Sequence, residues 1–194
     1  MRGSFLVTSC LSLCLAGACT DLPQPVKPDA PASGVMLVAG TDFTTGFLSA
    51  FEPVTGKVYR DIVPLHSDVL LAFDTAPYAL QRLGADSLRR LDQQAGYVSV
   101  FDQSLGTLNN PQGIAFLPGS VVAVSFYNRN TIDLRSALTG KQTGSIDLSA
   151  WADADGYAEV AHLFYRSGYL YAAVQRLNRQ ASDAVWPPVG SSYL

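Results

Sequence analysis

Residues 132–142 read IDLRSALTGKQ, and the same layout occurs twice earlier in the chain, as LSAFEPVTGKV from Leu48 and LRRLDQQAGYV from Leu88. The three segments overlay without gaps. Each starts on an aliphatic residue eight positions before a turn glycine, and these glycines, Gly56, Gly96 and Gly140, stand 40 and 44 residues apart.

Other segments repeat in step with these. Ahead of each lies another strand-like run, VMLVAGTDF, YALQRLG or VVAVSFYN, with a fourth copy in LYAAVQRL. Ahead of the later three runs lies a further one, LLAFDTA, GIAFLPG or HLFYRSG, and after the glycine turns come KVYRDIVPL, YVSVFDQSL and KQTGSIDLS. Short runs of Val, Leu, Phe, Tyr and Thr broken by Gly, Pro, Asn and Asp read as strands. Four strands in about 40 to 45 residues is the period of a propeller blade. One segment offers a rival reading: Leu80, Leu83, Leu88 and Leu91 in YALQRLGADSLRRLDQQ also suit an amphipathic helix. The interrupting Gly84 and the match of YALQRL to YAAVQRL favour two strands with a turn near Gly84.

The stretch NNPQGIAFLPGSVVAVSFYNRNTIDLRSALTGKQTGSIDL, residues 109–148, resembles a blade of the NHL and YVTN-type bacterial propellers, with NPQGIA opening the inner strand and LTGK turning between the last two. The resemblance covers about three blades, nearly all of residues 34–194. It implies an all-β fold, a β-propeller of four-stranded blades with about three blades present as an incomplete ring. Such folds carry enzymes, scaffolds and receptors alike, so the fold does not choose the function.

The front of the chain sets a destination. MRGSFLVTSCLSLCLAGAC has one basic residue, Arg2, an apolar run from Phe5 to Leu15, and small residues leading to Cys19. That is the layout of a secretory signal, and the run is too short to span a bilayer. LAGAC resembles the bacterial lipobox, which implies a lipoprotein signal peptide over residues 1–18 and acylation of Cys19; a plain secretory signal cut near Ala18 is the alternative. Cys10 and Cys14 fall within the removed part. Residues 19–33 form a linker with prolines at 23, 25, 28 and 31, an extended spacer between a membrane and a globular body. The expected location is the cell envelope, as an outer-membrane lipoprotein facing the periplasm or the surface. Removal of residues 1–18 takes Arg2 and no acid, leaving 12 basic against 16 acidic residues, a net of −4. This gives no electrostatic footprint for nucleic acid.

With strands running from the centre outward, the first-to-second and third-to-fourth strand turns lie on one face and are tight. The other face receives the longer, more polar connections, including residues 149–159 and 178–192, and long loops on one face of a rigid scaffold are where binding residues gather. This topology selects His66, Asp68, Asn109, Gln112, Asn128, Arg129, Arg176, Asn178 and Arg179 as a ligand-binding face, together with Asp153, Asp155 and Glu159. The last three offer hard oxygen ligands around Gly156, material for calcium; the alternative is an aspartate-rich turn in which Asp153 or Asp155 caps the backbone. His66 and His162 stand in no metal-ligand spacing and read as structural. Arg82 and Arg176 occupy matching repeat positions. The chain after Cys19 carries no nucleophile motif and no phosphate loop, and no cofactor is required.

Three functions follow as expectations. The first is a lipid-anchored binding or scaffold module for a protein, peptide or glycan. The second is a propeller enzyme, a lactonase, lyase or quinoprotein-like dehydrogenase, drawing on Asp153, Asp155, Glu159 and His66. The third is a truncated product with no activity of its own. Laid on the repeat, Leu194 matches Leu48, Leu88 and Ile132, so the sequence stops before a fourth strand of its last blade. Open blade edges would then favour self-association.

Overall fold

The computed structural model describes residues 30, 31, 33–179 and 186–193. The signal sequence, Cys19, most of the linker and Leu194 lie outside the described residues.

Among the described residues thirteen strands follow one another as antiparallel meanders, each pairing with its sequence neighbours within a sheet. β1 (Met36–Thr41), β2 (Gly46–Phe51) and β3 (Val58–Leu65) form the first sheet. The second comprises β4 (Val69–Phe73), β5 (Pro77–Gln81), β6 (Ser87–Asp92) and β7 (Val98–Ser104). The third comprises β8 (Pro111–Leu117), β9 (Val121–Phe126), β10 (Thr131–Ser136) and β11 (Gln142–Asp147). A single 3-10 turn, Ser149–Trp151, precedes the last pair, β12 (Val160–Arg166) and β13 (Tyr169–Val174). Tyr193 bridges Val174 antiparallel, which places it where a third strand of this sheet begins.

The three overlaid segments are β2, β6 and β10, the next-to-last strands of the first three sheets, with the turns that follow. Gly56, Gly96 and Gly140 have φ of +74°, +70° and +69°. A residue with a Cβ adopts this left-handed backbone only at a cost, which is why glycine recurs there. A β-bulge recurs as well, between Arg90 and Leu91 in the second sheet and between Leu134 and Arg135 in the third, at equivalent repeat positions. The helix-like leucine spacing resolves into strands: Leu80 pairs with Leu88 across β5 and β6, and Leu83 sits exposed at the turn between them.

Burial follows from the two-residue alternation of a strand. In β5, Tyr78 and Leu80 face the third sheet, whereas Ala79 faces the first. In β9, Val122, Val124 and Phe126 face the second sheet and Ala123 the fourth. Leu48, Leu88 and Ile132 each point toward the following sheet, so the repeat places one equivalent side chain in each apolar layer. Every buried leucine of this kind contributes about 1.5–3 kcal/mol. Each of the three buried clusters thus lies between consecutive sheets, and among the described residues none joins the first sheet to the last. β8 and β12 also approach closely: a Cβ on Gly113 would lie 3.0 Å from the Leu163 nitrogen of β12 and 2.6 Å from Ser125 Oγ on the adjoining β9.

The tight turns share one end of the blades with the start of the described chain. Tyr97, in the turn between β6 and β7, donates its hydroxyl to the Pro31 carbonyl at 2.7 Å, and Ala30 packs on the first apolar layer.

Candidate functional site

The opposite end carries the connections β1–β2, β3–β4, β5–β6, β7–β8, β9–β10, β11–β12 and the segment after β13. One backbone bond recurs there in three sheets. The residue after the second strand donates its N–H to the carbonyl of the residue before the inner strand: Arg82 to Asp68 (2.8 Å), Tyr127 to Asn110 (3.0 Å) and Gln175 to Glu159 (3.2 Å). The structural partner of Arg82 in the last sheet is therefore Gln175; the sequence overlay had placed Arg176 there, one residue along.

These positions are cross-linked by side chains. Arg82 Nε donates to Asp68 Oδ1 at 2.8 Å, Nη2 reaches the same oxygen, and Nη1 donates to Gln112 Oε1 at 3.0 Å on the next sheet. Gln112 Nε2 in turn donates to Asn110 Oδ1 at 2.7 Å. Further round, Tyr127 donates its hydroxyl to Gln175 Oε1 at 2.6 Å, and Arg179 Nη1 donates to the Tyr127 carbonyl at 3.0 Å. The network ties Gln112 and Arg179 to neighbouring sheets, whereas Asp68 pairs with Arg82 of its own sheet. His66 takes a structural role: its N–H donates to Gln81 Oε1, and its Nδ1 accepts from the Asp68 N–H at 3.2 Å.

Other candidates are occupied elsewhere. Asn109 Nδ2 donates to the Leu105 carbonyl and Asn128 Nδ2 to the Leu108 carbonyl, so both hold the loop before β8. Arg129 turns inward to the buried Asp133 (2.8 Å) and covers the Phe126 ring. Arg176 lies 5.7 Å from the centre of the Tyr193 ring, and the Asn178 N–H donates to the Pro187 carbonyl.

Between the first and second sheets the loop end opens into a cleft of about 430 Å³, lined by Thr41, Phe43, Ser67, Asp68, Arg82 and Leu83 among others. Phe43 and Leu83 are 90% and 64% exposed and flank the half-buried Asp68–Arg82 pair. Both residues have positive φ, +69° and +37°, a conformation that is uncommon for large apolar side chains.

Asp153, Asp155 and Glu159 form the second feature. Asp153 Oδ1 accepts from the Asp155 N–H and Asp155 Oδ1 from the Tyr157 N–H, each at 3.0 Å, so both aspartates cap the turn around Gly156. Glu159 is fully buried, with φ of +38°, and its Oε2 accepts from the Leu177 N–H at 3.3 Å. Burial, opposed by the Leu177 N–H and reinforced by Asp155 and Asp153, pushes the Glu159 carboxyl up to about 7. Arg179, 3.7 Å from Asp155 Oδ2, stacks near the Tyr157 and Trp186 rings at 4.9 and 5.5 Å. Tyr127, Tyr157, Gln175 and Trp186 did not emerge from the sequence. The equivalence of Arg82, Tyr127 and Gln175 was hidden because the three side chains differ.

Consecutive antiparallel meanders of up to four strands, stacked face to face in this way, define a β-propeller-like protein. No family model matches the chain, and no curated protein matches it. Solved structures do. A computationally designed protein, Ika8, matches with a TM-score of 0.54 at 17% identity, over 76% of this chain and 42% of that one. A catalytically inactive variant of virginiamycin B lyase from Staphylococcus aureus, in complex with quinupristin, matches with a TM-score of 0.53 at 14% identity, over 74% of this chain and 54% of that one. The chain therefore spans about half the length of these structures or less, and the likeness is one of fold.

Proposed function

We propose that this chain is a binding module of the cell envelope, tethered by a lipid on Cys19, which engages a protein, peptide or glycan through its loop-bearing end. The observation that carries the reading is the opposition of two features. Pro31 is held at the tight-turn end by Tyr97, whereas the Asp68–Arg82 cleft with its exposed Phe43 and Leu83 lies at the other end. A tether entering at the turn end directs the cleft away from the membrane. Pro31 lies twelve positions after Cys19, and a proline-rich spacer of that length, at about 3 Å per residue, would reach roughly 37 Å.

The second part of the support is chemical. In the cleft a guanidinium and a carboxylate hold each other in place while leaving about 30% of each side chain open, and two large apolar groups stand free beside them. Such a surface suits a ligand with both polar groups and an apolar anchor.

Photo-crosslinking residues placed singly at Phe43 and Leu83, with Val54 and Phe73 at the turn end as controls, test this in cells. The reading predicts a discrete, saturable adduct from Phe43 and Leu83 that Arg82→Ala abolishes, with incorporation of a fatty-acid analogue lost in Cys19→Ser. Equal adducts from both ends, or none from the cleft, would overturn it.

A further inference from the structure

We propose that Asp153, Asp155 and Glu159 form a calcium site that clamps the loop before β12 to the segment after β13. The division of labour among six oxygens carries this inference. Each carboxylate gives one oxygen to a backbone N–H: Asp153 to Asp155, Asp155 to Tyr157, and Glu159 to Leu177. The remaining oxygens are what is left for an ion. Asp153 Oδ2 and Glu159 Oε1 are buried with no hydrogen-bond partner, although Glu159 itself is 0% exposed. A fully buried, ionised carboxylate oxygen without a donor is costly unless something cationic meets it.

The spacing fits the ion. Ligand atoms of the three side chains all lie within 4.8 Å of one another. Oxygens that bind calcium at about 2.3–2.6 Å can stand up to roughly 5 Å apart across it, whereas magnesium, at about 2.0–2.1 Å in a strict octahedron, draws them closer. Among the described residues the one ion pair to the cluster is from Arg179, 3.7 Å from Asp155 Oδ2, and its guanidinium is also engaged with the Tyr127 carbonyl and the Tyr157 and Trp186 rings.

The loop geometry is already set for the task. Asp153 and Asp155 cap the turn whose Gly156 carbonyl accepts from Asn130 Nδ2, and Glu159 sits at the head of β12 with Leu177 against it. Three protein carboxylates complete a six- to eight-fold shell only with water. That places the affinity in the weak range typical of extracellular modules, about 10⁻⁴–10⁻³ M. The clamp is independent of what the Asp68–Arg82 cleft binds.

The test uses the whole chain with calcium chloride, magnesium chloride and terbium chloride as probes. Calorimetry shows binding of calcium and much weaker binding of magnesium. Calcium at about a hundred times its dissociation constant lowers the unfolding constant about 100-fold, read as a rise in melting temperature. Terbium shows luminescence sensitised by Trp186 or Tyr157 beside Arg179, displaced by calcium. Asp153→Asn and Glu159→Gln each weaken calcium binding at least tenfold, and Asp147→Asn, an exposed aspartate outside the cluster, leaves it unchanged. Absence of heat, of a thermal shift and of terbium emission in the unsubstituted chain overturns the site, as do Asp153→Asn and Glu159→Gln proteins that fold and bind calcium like the unsubstituted chain.

Discussion

Replacing Asp133 with asparagine tests the packing of the third sheet. Asp133 is fully buried in β10 and accepts from three side chains: Arg129 Nη2 at 2.8 Å, Arg135 Nη2 at 2.8 Å with Nε at 3.2 Å, and Gln142 Nε2 at 3.3 Å. The Arg135 side chain is 7% exposed, and its Nη1 donates to the carbonyl of Gly140, the turn glycine of the repeat. An amide in place of the carboxylate keeps the shape, removes the charge and turns an NH₂ toward guanidinium donors. Arg129 can swing to solvent; Arg135 cannot, and stays as an uncompensated buried charge. Breaking one side of such a pair costs about 3–5 kcal/mol. For a folded body of this size that is a fall of roughly 6–20 °C in melting temperature. Urea unfolding followed by circular dichroism gives the free energy, and amide exchange at Ser136 and Gly140, which bond within the turn to Lys141 and from Gly140 to Ser136, reports the local loss. Asp133→Asn combined with Arg135→Met, which removes the stranded charge, recovers most of the stability. A cost under about 1 kcal/mol for Asp133→Asn, or a double variant as unstable as the single one, would refute the reasoning.

Three further outcomes follow from the packing and the electrostatics. Gly113→Ala forces its Cβ against Ser125 Oγ, which is itself fixed by donating to the Val160 carbonyl, so β8 and β12 must part; a loss of about 1–3 kcal/mol in urea unfolding is expected. Leu88→Ala, in the layer between the second and third sheets, costs about 2–5 kcal/mol, whereas Leu138→Ala at an exposed turn changes the urea midpoint little. Asp42 is held below the usual carboxylate range by N–H groups and hydroxyls, first the Thr45 N–H, then the Thr44 hydroxyl and N–H. A depressed folded-state pKa means stability that is present above the unfolded value near 3.8 and lost as pH falls below it. The gap in melting temperature between the unsubstituted chain and Asp42→Asn is therefore constant from pH 7 to 5 and narrows as the pH drops below about 4.

The architecture was legible because the repeat rests on requirements that only a few residues meet. A turn at φ near +70° selects glycine at 56, 96 and 140, and a layer between sheets selects an aliphatic residue at 48, 88 and 132. Choosing strands over a helix at Leu80–Leu91 rested on Gly84, whose φ of +103° closes the turn between β5 and β6. The loop-bearing end was legible only as a list of polar residues. Arg129 looked like a surface cation, but it serves the buried Asp133, and nothing in NRNTIDLRS distinguishes an arginine that turns inward from one that does not. Tyr127 and Gln175 were missed for the opposite reason: a shared backbone bond unites them with Arg82, while their side chains have nothing in common. The acidic loop was visible as three oxygen ligands, and which oxygens were left without a donor required the coordinates.

The central claim is that the repeat builds consecutive sheets that bury Leu48, Leu88 and Ile132 in successive layers and gather the polar connections at one end. Crystal structures of the chain grown with and without calcium chloride test this most directly. The expected result is three apolar layers between neighbouring sheets in chain order, the Arg82–Asp68 pair at the end opposite Tyr97 and Pro31, and metal density among Asp153, Asp155 and Glu159 only when calcium is supplied. A helix across Leu80–Leu91, or Leu48, Leu88 and Ile132 facing solvent or sharing one core, would contradict it.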